Sequence, residues 1–155
     1  MDIIQTIGTT TQELLGHLKI PAKVAVSENT DETEIKYYMV EISGEDLGAL
    51  IGYHGETLNH FQHILSLSIN NKLEDRIKII VDIDGWRAQR KETLENMAQQ
   101  AILKVRNTGT AQVLPPMSAY ERRVIHSLIG LESDIASHSE GEDASRKVII
   151  ELKKD

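Results

Sequence analysis

Arg122 and His126 are the residues of this chain whose types and spacing most directly suggest chemistry. They lie four positions apart in "YERRVIHSLI", so on a helix their side chains stand one turn above each other. A guanidinium beside an imidazole suits the oxygens of a phosphate, and the adjacent Arg123 adds a further donor. A solvated helix face with a chance Arg and His is the alternative, and spacing alone favours it. The surrounding sequence reverses that preference.

A second candidate site is the stretch "LGALIGYHGETL", in which Tyr53 and His54 lie between Gly52 and Gly55. Glycine lets a backbone come close without a Cβ, and a following helix offers free N–H groups to a phosphate. In the KH fold such a loop clamps a nucleic-acid backbone. Tyr53 suits stacking on a base and His54 suits donation to a phosphate, although neither carries a fixed positive charge at pH 7.

Other chemistries find little support in the residues. His60 and His63 are three apart on one predicted helix with His54 nearby, but no further metal ligand or H-E-x-x-H motif accompanies them. The turn "SEGED" is too short for a calcium loop, which leaves a solvated acidic turn. No Gly-x-Ser-x-Gly, Walker or dinucleotide motif is present. The sequence therefore predicts no catalytic residue, no metal and no cofactor, and a protein that is not an enzyme.

Composition and charge limit the class of protein. The 155 residues are 40% hydrophobic and include no cysteine, which excludes disulfides and thiol chemistry. The net charge is −7, but residues 1–86 carry 6 basic and 14 acidic side chains (−8), whereas residues 87–155 carry 11 and 10 (+1). Only the second half therefore suits a polyanion. No apolar run is long enough for a membrane span and no signal peptide is evident, so we expect a cytoplasmic protein without membrane insertion.

Periodicity predicts an α+β fold in three parts. Residues 1–85 follow the order α-β-β-α-α-β, with the two glycines joining a short helix to a longer one, which is the order of a type II KH domain. A long amphipathic helix over residues 86–109 is expected to bridge to a small α/β domain at residues 110–155. That last domain begins with a helix capped by Ser118 and ended by Gly130, and strands are predicted near "DIASH" and "RKVIIEL".

The segments "LPPMSAYERRVIHSLI" and "SHSEGEDASRKVIIEL" resemble the small single-stranded nucleic-acid-binding domain named for an Arg, three residues and a His. With the KH-like part in front, nearly the whole chain resembles the bacterial Jag family, also called SpoIIIJ-associated or KH-domain protein B. The resemblance implies that Arg122 and His126 contact single-stranded RNA or DNA and that residues 52–55 form the KH clamp. It also implies a role as an RNA chaperone, in cell elongation and cell-wall homeostasis, and pairing with a small KH protein.

Two departures from the family pattern keep an alternative open. Many members begin with an additional small Jag N-terminal domain, whereas this sequence starts at the first KH helix. Family loops often carry basic residues where this chain has Tyr53 and His54. Our leading prediction is a non-enzymatic protein that binds single-stranded RNA through Arg122, Arg123 and His126, with the KH-like loop at residues 52–55 as a second backbone contact. The alternative is a protein-interaction module that pairs with a small KH protein, and a homodimer is left open.

Overall fold

The computed structural model describes residues 2–154 and consists of two compact units that divide between Arg87 and Ala88. Each unit has a hydrophobic core of its own. The first unit follows the predicted order α-β-β-α-α-β, which confirms the α+β class. Its elements are α1 (Ile3–His17), β1 (Lys23–Thr30), β2 (Lys36–Ser43), α2 (Gly48–Ile51), α3 (Glu56–Asn70) and β3 (Lys78–Ile83).

A three-stranded sheet with the order β1-β2-β3 carries the first unit. β1 pairs with β2 in antiparallel fashion, whereas β2 and β3 are parallel. Alternate residues of the inner strand, such as Val40 and Ile42, point into the core, as the period of two requires. α1 and α3 supply the apolar side chains opposite this sheet, including the fully buried Ile7, Leu58 and Leu65.

Side chains cover the outer edge of this sheet at β3. The N–H of Val81 donates to Oε1 of Gln62 at 2.8 Å, and its carbonyl accepts from Nε of Arg87 at 2.8 Å. Just before the strand, the Ile77 N–H donates to Oδ1 of Asn70 at 2.8 Å, and the Ile77 carbonyl accepts from the same amide. Because these groups occupy backbone positions that a further strand would need, the β3 edge is protected against pairing.

The second unit is a three-stranded antiparallel sheet with two helices. Its strand order is β4-β6-β5, with the fully buried Val148 and Ile150 in the central strand. Buried residues of both helices, such as Ile102 and Ile125, complete its core. The elements are α4 (Trp86–Thr108), whose first two residues belong to the first unit, β4 (Gln112–Val113), α5 (Ala119–Ile129), β5 (Ile135–Glu140) and β6 (Lys147–Leu152).

Two segments of the second unit bear on the sequence interpretation. α4, the helix expected to bridge two domains, contributes Leu94, Ala98 and Val105 to the second core, and its role as a bridge stays a prediction. The predicted boundaries at residues 85 and 109 stay predictions. β4 lies in a segment that we read as a loop, because two residues before a Pro-Pro pair give no strand signal. Among residues 2–154, no helix has the length and apolar character needed to cross a membrane.

Candidate nucleic-acid interface

One face of α5 is buried in the core of the second unit, and the opposite face lines an open cavity. Ser118 caps the helix by accepting the Glu121 N–H at 3.3 Å, and Gly130 ends it, as the sequence predicts. Ile125 and Ile129 lie on the buried face. The cavity is lined by α5 residues with the spacing i, i+3, i+4, i+7, i+8 and by two residues from beyond the helix: Ala119, Arg122, Arg123, His126, Ser127, Ser139 and Arg146.

The cavity measures about 450 Å³ and contains three arginines, although the chain as a whole is acidic. Nη1 of Arg122 donates to the carbonyl of Met117 at 2.7 Å, and Nη1 of Arg146 donates to the carbonyl of Gly141 at 2.8 Å. The Met117 N–H in turn donates to the Arg146 carbonyl at 3.2 Å, so one residue connects both arginines. A guanidinium has five N–H donors, so these bonds leave donors for an anionic ligand.

The turn between β5 and β6 places Arg146 at the cavity. Gly141 has φ of +94°, a conformation that other residues rarely adopt, and a Cβ there would lie 3.0 Å from the carbonyl oxygen of Ser145, which is closer than most side chains approach. Glycine is therefore required for the turn that brings the Gly141 carbonyl to Arg146. The acidic residues Glu142 and Asp143 of this turn are exposed, in agreement with the solvated turn that we predicted.

His126 is held between two serine hydroxyls of β5. Nδ1 lies 2.7 Å from Oγ of Ser137, and Nε2 lies 2.7 Å from Oγ of Ser139. The two serines share a face of the strand because they are two positions apart, and Ile135 continues that face into the core. Burial lowers the pKa of His126 below its usual value, and the charges of Arg122, His138 and Arg146 lower it further.

Two arginines of α4 form ion pairs with the parts of the second unit that carry this cavity. Glu121, which is 3% exposed, receives hydrogen bonds from Nε and Nη2 of Arg90 at 2.6 and 3.1 Å. Loss of either partner would leave the other charge buried, at a cost of about 3–5 kcal/mol. Arg106 near the end of α4 pairs with Glu132 and Asp134, just before β5, and lowers the pKa of the Asp134 carboxyl. These ion pairs hold α5 and the start of β5, which carry residues of the cavity, against α4.

The loop with two glycines lies in the first unit, between α2 and α3. Gly52 and Gly55 have φ of +72° and +78°, and His54 is also left-handed at +51°. The rings of Tyr53 and His54 stack with centroids 3.9 Å apart, and Tyr53 is 69% exposed. This geometry offers a small stacked aromatic surface at the start of α3.

Both glycines of this loop are required by contacts within the chain. A Cβ on Gly52 would overlap the hydroxyl of Thr57, and a Cβ on Gly55 would overlap the indole ring of Trp86. Close approach of a nucleic-acid backbone is therefore not needed to explain either glycine. The KH clamp that we predicted from these residues stays a prediction.

The cavity unites Arg122, Arg123 and His126, all of which the sequence analysis selected, and adds Ser139 and Arg146, which it missed. The signal available for Arg146 was its place directly after a Gly-containing turn. The signal available for Ser139 was its place two positions after Ser137 on a predicted strand, which puts both serines on the same face. No group of three or more His, Asp or Glu side chains able to hold a metal ion occurs in the part of the chain that the structure describes.

Comparison with known families agrees with this arrangement. A profile described as "KhpA/KhpB, KH domain" matches residues 11–83, and the profile of the domain named for its Arg-x-x-x-His motif matches residues 92–152. This chain combines the two domains that the Jag resemblance predicts. The two matches confirm the predicted order, in which a KH domain precedes the Arg-x-x-x-His domain.

Three similar curated proteins carry the same name. It is 35% identical to RNA-binding protein KhpB of Clostridium symbiosum over 144 residues, which are 93% of this chain and 64% of that protein. It is 30% identical to RNA-binding protein KhpB of Bacillus subtilis strain 168 over 87% of this chain and 64% of that protein. It is 29% identical to RNA-binding protein KhpB of Lactiplantibacillus plantarum over 77% of this chain and 37% of that protein. The chain thus spans less than two thirds of the length of these curated relatives.

Proposed function

We propose that this protein binds single-stranded RNA in the cytoplasm, without catalysing a reaction, through the cavity on its second unit. The observation that carries the proposal is the convergence of Arg122, Arg123 and Arg146 on one cavity of an otherwise acidic chain. The KH loop around Tyr53 and His54 would add a second contact. The printed names of the relatives, which describe RNA-binding proteins, support the same ligand.

The chemistry of the cavity suits a phosphodiester backbone. Arginine forms paired hydrogen bonds with phosphate oxygens, and phosphate contacts fix position without reading sequence. Tyr120 lies beside Ala119 on the first turn of α5 and is 71% exposed, so it offers a stacking surface for a base. Stacking and phosphate contact together favour a flexible single strand, whose bases are free to reach an aromatic ring.

Arg122→Ala tests the proposal in the full chain. We expect the affinity for a short fluorescein-labelled oligouridylate, measured by anisotropy at low salt, to fall by about tenfold or more, because a hydrogen bond to a charged group is lost. For single strands, each phosphate neutralised contributes about 0.7 to the slope of log K against log salt concentration. The wild-type slope should therefore be about −2 for three arginines, and the variant slope should be about 0.7 shallower.

Arg76→Ala is the matched control for that change, because it removes the same charge from an exposed position of the first unit. The control should retain the wild-type affinity and slope. Absence of binding by the wild type at low salt would contradict the proposal. So would an equal loss in both variants, since that result would indicate a diffuse charge effect rather than a site.

A second candidate function is protein interaction through the first unit. Ile64 and Leu67 lie three positions apart on α3 and are each 52% exposed, so they form an apolar patch outside the core. The −8 charge of residues 1–86 disfavours RNA in this half of the chain. Pairing with a small KH-domain protein or a second copy would cover the patch.

The roles that the Jag resemblance implies, as an RNA chaperone and in cell elongation and cell-wall homeostasis, belong to the proposal of RNA binding given above.

A further inference from the structure

The hydrogen bonds of His126 have a consequence for its neighbours in the cavity. Both ring nitrogens lie at 2.7 Å from a serine hydroxyl, Nδ1 from Ser137 and Nε2 from Ser139. Only Ser139 of these two serines lines the cavity with the arginines. The imidazole also lines the cavity, but both of its hydrogen-bonding atoms are already in use.

The number of hydrogens on His126, Ser137 and Ser139 determines which of these groups donates to which. A neutral imidazole carries one N–H donor and one bare nitrogen acceptor, and each serine hydroxyl carries one proton. One serine must therefore donate to the ring, while the other accepts from the ring and keeps its own proton for a third partner. If Nε2 carries the hydrogen, Ser139 accepts from it, and the Ser139 hydroxyl is then free to donate into the cavity. Ser137 would donate to Nδ1 and complete the arrangement.

We infer that Ser139 donates its hydroxyl hydrogen to an anionic oxygen, such as that of an RNA phosphate, bound beside Arg122 and Arg146. His126 then acts as a positioning residue, because its Nε2–H holds the Ser139 oxygen and directs the remaining proton outward. The inference rests on the proposed function, since it names an additional ligand-contacting group of the same cavity. A phosphate oxygen there would select the Nε2–H tautomer, because the other tautomer directs the Ser139 proton toward the ring.

The two serines provide a matched pair of variants. Ser137→Ala and Ser139→Ala each remove one hydrogen bond to His126, but only Ser139→Ala removes a hydroxyl from the cavity wall. With full-length protein and a labelled oligouridylate, we expect about tenfold weaker binding for Ser139→Ala and a change below about threefold for Ser137→Ala. The salt slope of Ser139→Ala should equal that of the wild type, because no charge is removed. Ser139→Thr, which keeps the hydroxyl, should retain binding.

A double-mutant cycle tests the role of His126. If His126 acts through Ser139, adding His126→Ala to Ser139→Ala should weaken binding no further than Ser139→Ala alone. Additive losses would overturn the inference, because they would indicate an independent contact by His126. Equal losses in both serine variants, or none in either, would overturn it as well. If Arg122→Ala also has no effect, the proposed function fails with it; if Arg122→Ala weakens binding, only the inference fails.

Discussion

At the scale of single residues, His126 links the cavity to pH. In the folded chain its pKa is lowered by burial and by the charges of Arg122 on α5, His138 on β5 and Arg146 before β6. In the unfolded chain the imidazole titrates near its ordinary value of 6.5. The unfolded state therefore takes up a proton first as the pH falls. Stability that His126 contributes above pH 6.5 is lost between 6.5 and its lowered pKa.

We predict that the melting temperature, measured by circular dichroism, decreases as the pH is lowered from 7.5 to about 5.5, and decreases less in His126→Gln. Glutamine keeps an amide for one serine hydroxyl but does not titrate. His60→Gln, which removes an exposed histidine from α3, serves as the control and should follow the wild-type curve. If the melting temperature of His126→Gln falls with pH as steeply as that of the wild type, other groups cause the pH dependence.

At the scale of elements, the turn between α2 and α3 is determined by its packing. Gly55 touches the indole ring of Trp86, the first residue of α4, and Gly52 touches Thr57 in the first turn of α3. Substituting the glycines would therefore change the fold of the loop as well as any contact with a ligand. Tyr53 and His54 are the better positions for testing the KH clamp, because Tyr53 is exposed and stacks on His54.

Gly55→Ala and Gly85→Ala separate backbone strain from the contact with Trp86. Both glycines have positive φ, +78° and +72°, but a Cβ on Gly85 meets open space. We expect each alanine to cost about 1–2 kcal/mol of unfolding free energy through its left-handed backbone. Gly55→Ala should lose about 1–3 kcal/mol more through overlap with the indole. Urea unfolding monitored by circular dichroism measures both, and equal losses would refute the packing explanation.

At the scale of the whole molecule, the sequence predicts elements well and the assembly of the cavity only in part. α5 was predictable because Ser118, Gly130 and the apolar spacing each act locally. Arg146 was not, because it reaches the cavity through a turn and through a backbone bond with Met117, 29 positions earlier in the chain. The packing of α4 into the second core was not predictable either, since amphipathicity indicates that a face is buried but not against which unit.

The apolar patch on α3 gives a prediction at this scale. Ile64→Glu with Leu67→Glu should abolish pairing with a small KH-domain protein or a second copy, because two charges would be buried in the contact. Ile35→Glu with Leu131→Glu is the control, since it places the same charges on two other exposed apolar residues. Sedimentation velocity, alone and with the partner, measures the outcome. Unchanged pairing in the α3 variant would exclude this patch as the interface.

The contact between Gly55 and Trp86 has an optical consequence. Trp86 is the single tryptophan of the chain, and its indole lies against the KH loop of the first unit, whereas residues 88–155 contain none. Intrinsic tryptophan emission therefore observes the loop selectively and without a label. When RNA is added, an emission change would report an event at the loop, and binding detected only by anisotropy would point to the arginine cavity. The unmodified protein thus carries a reporter that distinguishes its two candidate modes of contact with RNA.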